Sequence, residues 1–228
     1  MIKTLVLTSI VGGKDQLKDP ETAYPNCQYI ALVDVINLEI KIWTQHLITE
    51  YSCIDQFHAR RNAKLHKILT FATPANYIIW VDGTHSLNID PLEIYKEYGD
   101  FDYLVFEHPQ RRCVYQEFAA VKGMDNDVTI EEQKKAYLHA NFPKMYGMYE
   151  LGCNIRKVNP KTFQFGLIWF EQVCKYSSRD QLSFPFVKWL MRDTINIKTM
   201  EGNCSQYLGT PFENDGNKYF INHSNHLK

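Results

Sequence analysis

A chain of 228 residues with 45% hydrophobic and 22% charged side chains holds enough apolar material for a full core, which excludes a disordered chain and predicts one domain over residues 1–228. Its 25 basic side chains stand against 26 acidic ones, which excludes a global basic field of the kind that drives non-specific binding to nucleic acid or anionic membranes. Any recognition of phosphate must be local.

The predicted elements alternate between strand and helix, the pattern of an α/β layered fold with a mostly parallel central sheet flanked by helices. Met1 to Ile10 is apolar but too short for a membrane span and lacks a signal-peptide cleavage pattern, so a cytoplasmic chain without a membrane span is expected. Within that run Lys3 to Ile10 reads as the first strand, closed by Gly12-Gly13, where the backbone can turn tightly. Tyr29 to Val33 is a second strand ending at Asp34. From Arg60 to Phe71 the period becomes helical, with Leu65, Ile68, Leu69 and Ala72 on one face. Tyr77 to Val81 is a buried strand, Pro91 to about Tyr98 a helix capped by Asp90, and Tyr103 to Phe106 another strand.

Residues 115–122 and 130–140 read as helices, the second opened by Thr129 with Glu132 three positions on, a capping-box pattern. Glu150 to Val158 reads as a strand, followed by helices over about Lys161 to Tyr176 and Gln181 to Met191. The tail from Glu201 is polar and is expected to be irregular. Six cysteines lie scattered without a C-x-x-C pair or zinc spacing and read as reduced thiols.

Ligands of open α/β sheets bind at the carboxyl ends of the strands, so the polar residues found there are the candidates for chemistry. Asp82-Gly83 closes the strand Tyr77 to Val81; a carboxylate there can hold a divalent cation, while an ordinary Asp-Gly turn would need no ligand. Ahead of it, Arg60, Lys64 and Lys67 form a basic helix face with Arg61 beside them, either a clamp for a pyrophosphate or a solvated surface. The cluster Glu107 to Arg112 follows the next strand, and its His108 and Arg111 are candidates to meet an acceptor, against the alternative of a surface loop turned by Pro109. At the junction of the last two helices, Asp180 can serve as general base with Arg179 or Gln181 orienting substrate, or can simply cap a helix. His223 and His226 in the tail could add a metal ligand from far along the chain.

In order, Leu5–Gly13, Arg60–Lys67, Ile79–Gly83, Phe106–Arg111, Tyr115–Glu117 and Ser178–Phe184 resemble a hexosyltransferase-like domain family, once a domain of unknown function, found in bacteria, viruses and plant Golgi proteins linked to mucilage and turgor. That resemblance implies a GT-A (Rossmann-like) glycosyltransferase with a nucleotide-sugar donor, UDP-linked by preference, across the carboxyl edge of the sheet. It implies that Asp82 stands at the Asp-x-Asp metal position, that Arg60, Arg61 and Lys64 face the diphosphate beside Gly83, and that Thr8, Gly12, Gly13 and Asp34 hold the nucleoside. The metal, Mn2+ or Mg2+, would be held by Asp82 and His223, since the position two after Asp82 is Thr84 and not a second aspartate. The acceptor is left open among a glycan, a protein and a modified nucleic-acid base. Two alternatives stand beside this one: nucleotidyl transfer, for which Gly12-Gly13-Lys14 is a weak signature, and a catalytically silent nucleotide-sugar-binding module.

Overall fold

The structure, a computed structural model, describes residues 2–13, 15–48, 64–202 and 219–222. Its seven-stranded sheet is built from β1 (Thr4–Ile10), β2 (Cys27–Val33), β3 (Thr44–Leu47), β4 (Tyr77–Val81), β6 (Tyr103–Glu107), β7 (Tyr149–Lys157) and β8 (Ile197–Met200), in the order β3-β2-β1-β4-β7-β6-β8. All neighbours pair parallel except β7, which runs against both β4 and β6. The expected mostly parallel sheet is therefore present, and the carboxyl ends of β1, β2, β4 and β6 share one edge with the start of β7. A two-stranded antiparallel sheet joins β5 (His85–Leu87) to β9 (Phe220–Asn222), so the tail expected to be irregular contains a strand.

Central strands buried on both faces need apolar side chains at nearly every position, and β1, β4 and β6 have them. On one face Leu5, Leu7, Ile78 and Trp80 pack together, and beside them Tyr103 and Val105 pack with α5 (Pro160–Lys175) and α6 (Asp180–Leu190) through Phe165, Trp169 and Phe184. The opposite face carries Val6, Ile79, Val81, Leu104 and Phe106 against Ile94 and Tyr95 of α2 (Pro91–Tyr98). Strand β7 serves both cores. Its odd-numbered Tyr149 and Leu151 join the α5–α6 side, whereas Cys153 and Ile155, still odd-numbered, join the α2 side. The register explains the switch: two steps of β6, from Leu104 to Phe106, oppose five steps of β7, from Ile155 to Glu150, a bulge that reverses which face the alternation addresses.

The predicted helix over 60–71 is described only from 64 to 68 (α1), and Phe71 and Ala72 lie beyond its end. Helix α3 covers Val114–Ala120. Helix α4 spans Asp127–His139 and starts three residues earlier than the capping box implied: Asn126 accepts from the amides of Val128 and Thr129, and Thr129 lies inside the first turn. Asn is as good a cap as Thr, and the short polar run before Val128 hid which of the two was used.

Candidate active site

Three segments distant in sequence meet at the carboxyl edge. Strand β4 delivers Asp82 on the same side as Trp80, two residues earlier, and the indole Nε1–H of Trp80 donates to Asp82 Oδ1 at 2.6 Å. Helix α1 brings Lys67, whose Nζ lies 3.3 Å from the same oxygen and 3.0 Å from Asp180 Oδ2. Lys64, one turn earlier, reaches Asp180 Oδ1 at 2.7 Å and the carbonyl of Ser178 at 2.8 Å. Asp180, in the first turn of α6, thus grips both lysines.

The two ends of this chain of charges differ in exposure. Side chains of Lys67 and Asp180 are each 7% exposed, whereas that of Asp82 is 43% exposed. Burial disfavours the Lys67 ammonium, yet the adjoining Asp180 and Asp82 outweigh it and hold the group above the ordinary lysine range. Burial would likewise raise the Asp180 carboxyl; Lys64 and Lys67 reverse that and hold it well below the ordinary carboxylate range. A carboxylate so bound is a poor proton acceptor, which turns the expected general base into an anchor for two cations.

Sequence reasoning overlooked what fixes Lys67. Arg156 of β7 is wholly buried. Its Nη1 donates to the Lys67 carbonyl at 3.0 Å and to Asn154 Oδ1 at 3.1 Å, and its Nη2 to the carbonyls of His66 at 2.7 Å and Leu69 at 2.9 Å. The opposite side of the same turn rests on α5, where a Cβ on Gly166 would come within 2.9 Å of the Ile68 carbonyl. A charged residue inside an otherwise apolar strand was the signal that could have revealed Arg156.

At the ends of β1 and β2, the Gly12 amide donates to Asp34 Oδ2 at 2.6 Å. Gly12 and Gly13 have φ of 75° and 65°, a conformation that side chains with a Cβ resist. Beside them opens a cleft of about 620 Å³ lined by Ile10, Gly13, Asp15, Val33, Asp34 and Val35. Gly83 packs tightly against two of these lining residues, since a Cβ there would meet Ile10 Cδ1 at 2.3 Å and Asp15 Cβ at 3.1 Å. Gly12, Gly13, Asp34, Asp82 and Gly83 are thereby gathered at one edge.

Other expectations are corrected. Thr8 is buried within β1 and is not at the exposed sheet edge. His108 is buried, its Nδ1 accepting from the amides of Gln110 and Arg111, and Arg111 is bonded through Nε to the buried Glu117. That network braces the start of α3 against the end of β6 and leaves His108 unable to meet an acceptor. Lys64 is committed to Asp180 and does not face the edge alone. Gln181 donates to the Tyr149 carbonyl at 2.9 Å and ties α6 to β7, while Arg179 precedes α6 as its cap residue without a side-chain cap bond. Arg60, Arg61, His223 and His226 lie outside the described residues.

The sequence profile of the TOD1/MUCI70, glycosyltransferase-like domain family matches residues 2–207. The chain belongs to this family. A TOD1/MUCI70 relative, the probable hexosyltransferase MUCI70 of Arabidopsis thaliana, is 29% identical over 179 residues, which are 72% of this chain and 29% of that protein. The chain therefore spans under a third of the length of the curated relative it matches. Solved structures similar to this TOD1/MUCI70 domain include the bifunctional glycosyltransferase WbbM (10% identity, 93% of this chain and 48% of that one, TM-score 0.42) and the mannosyltransferase Ktr4p of S. cerevisiae (10%, 82% and 65%, 0.41). Mouse xyloside xylosyltransferase 1 is a third (9%, 87% and 85%, 0.40). The TOD1/MUCI70 domain has the expected α/β architecture with a mostly parallel central sheet, and its family is glycosyltransferase-like. No helix among its described residues is long and apolar enough to cross a membrane.

A divalent metal is the cofactor expected from the sequence, and the donor set at Asp82 bears on it. Among the described residues no three His, Cys, Asp or Glu side chains come together as a cation site. Thr84, where a second aspartate would stand, has its hydroxyl 3.0 Å from His85 Nδ1. Asp82, however, spends only Oδ1 on Trp80 and Lys67 and is the exposed carboxylate of the cluster. Strand β9 pairs beside this loop, with Asn222 opposite His85, and the histidine expected as second ligand, His223, lies outside the described residues. Among the described residues, the open oxygen of Asp82 is the donor at this edge that suits a hard divalent cation.

Proposed function

We propose that the domain transfers a hexosyl group from a nucleoside-diphosphate sugar, UDP-linked by preference, to a hydroxyl-bearing acceptor, with a divalent cation at Asp82 and His223. The observation that carries this reading is the convergence of the β4 carboxylate and the α1 lysine at the sheet edge, beside the cleft between Gly13 and Asp34. Charge arithmetic supports the cation. Lys64 and Lys67 are matched one for one by Asp82 and Asp180, so the described lysines bring no net positive charge to a diphosphate. When bound, the cation supplies charge stabilisation for the departing nucleoside diphosphate.

The chain's own residues do the positioning. The Gly12–Asp34 bond fixes the loop against which the nucleoside lies, and the remaining oxygen of Asp34 accepts from a ribose hydroxyl. Trp80 and Lys67 hold Asp82 Oδ1 so that Oδ2 points to the open edge. Asp180 holds Lys64 and Lys67 in place and, with Asp82, favours the protonated form of Lys67. Departing negative charge then meets an ammonium already aligned, which needs no reorganisation during the reaction. Near-neutral overall charge favours a glycan or protein hydroxyl over a long nucleic-acid footprint as the acceptor.

Calorimetry with UDP- and GDP-sugars, with and without manganese, followed by hydrolysis and transfer assays, tests the proposal. Manganese-dependent binding with turnover supports it; binding without either reaction would instead identify a silent sugar-nucleotide module, and no binding at all would remove the donor site.

A further inference from the structure

We propose that Arg156 is a positioning residue of the donor site, setting through the last turn of α1 the place at which the Lys67 ammonium stands beside Asp82. The inference rests on the reading of Asp82 and Lys67 as part of that site, and its test contains an arm independent of nucleotide.

A buried guanidinium is costly unless paired, and among the described residues no carboxylate pairs with Arg156. Its four Nη protons go to three carbonyls of one turn, at residues 66, 67 and 69, and to Asn154 Oδ1. Burial pushes its pKa down only to about 10, so it stays charged at neutral pH against the carbonyl end of a helix. Residue 67 thus offers its carbonyl to Arg156 and its ammonium to Asp180 and Asp82. Rotation of that turn about the helix axis would break the carbonyl contacts and swing Nζ away from both carboxylates together. The planar fork matters, because a single ammonium cannot span three carbonyls. Gly166 closes the other side of the turn, so the position of Lys67 is clamped between β7 and α5.

The experiment uses the full chain with Arg156→Gln, Arg156→Lys and Gly166→Ala. Amine acetylation followed by mass spectrometry reads the protection of Lys67, and calorimetry with UDP and manganese reads the site. The expected result is Lys67 labelling faster by on the order of tenfold in Arg156→Gln, no rescue by Arg156→Lys, and UDP binding weaker by about tenfold, each hydrogen bond to a charged group contributing that much or more. Gly166→Ala, which disturbs the turn with Arg156 intact, should expose Lys67 in the same way. Variants that melt cooperatively at lower temperature while Lys67 stays protected and UDP affinity stays unchanged would overturn the inference and leave Arg156 a structural residue only. If both Arg156 variants fail to fold, Gly166→Ala decides: protected Lys67 overturns the inference and exposed Lys67 supports it. If the wild type binds no UDP, the donor reading fails while the labelling arm still judges the positioning of Lys67.

Discussion

Replacing Asp180 by Asn separates an anchor from a general base. Among the described residues Lys67 would keep only Asp82 as an anionic partner, at 3.3 Å and at the solvent edge, and Lys64 would be left without a carboxylate. Removing one partner of a buried ion pair costs about 3–5 kcal/mol, and the Asn amide retains an acceptor oxygen, so about 3 kcal/mol is expected here. For a chain of this length that is a fall in melting temperature of about 6–12 °C. Urea denaturation of wild type, Asp180→Asn, Lys67→Met and the double variant gives the coupling directly; about 1.5 kcal/mol or more between the two positions is expected, because the double variant leaves no buried Lys67 charge unpaired. A general base would show the opposite pattern, with turnover lost and stability near wild type. Stability within about 1 kcal/mol of wild type, together with coupling under about 0.5 kcal/mol, would refute the reasoning.

Three further outcomes follow from the same geometry. Asp82→Asn should abolish manganese-dependent binding of UDP in calorimetry while changing urea stability by less than about 1 kcal/mol, since its side chain is 43% exposed and the amide oxygen can still accept from Trp80. Gly12→Ala should cost about 1–2 kcal/mol through its left-handed backbone alone, because nothing lies within 4 Å of the added Cβ; Gly12→Asn should recover part of that in the same denaturation experiment. The Lys67–Asp180 contribution to stability should be fully present from about pH 4 to pH 10, the ordinary carboxylate and lysine values of the unfolded chain. It should fade in acid as pH falls toward the depressed Asp180 value and in base as pH rises through the raised Lys67 value, and Asp180→Asn should flatten the acid limb of a denaturation series across pH.

What could be read from the sequence was whatever local pattern determines. Strands β1, β4 and β6 are apolar runs buried on both faces, and no helical period competes with them. Asp82 stood out because it ends such a run before a glycine. Strand β3 was missed because Thr44–Leu47 is a polar edge strand, mostly exposed and held by its pairing to β2. Strand β9 owes its existence to β5, over 130 residues away. Lys67 looked like one more cation on a solvated face, since its partner Asp180 lies 113 positions later and no local period announces such a pair. His108 and Arg111 misled for the same reason: their density of polar groups is real, but Glu117 on the next helix absorbs it.

The bulge in β7 limits how this strand can change length. Because the three surplus residues form an odd number, one half of the strand presents its odd positions to α5 and α6 while the other presents its even ones, Asn154 and Arg156, to α1. Losing or gaining a single residue between 151 and 153 would restore simple alternation and send one of those sets through to the wrong side. Length variation there should consequently be tolerated in steps of two, a parity rule that surveys of natural variants or a library of small deletions could read out by solubility alone.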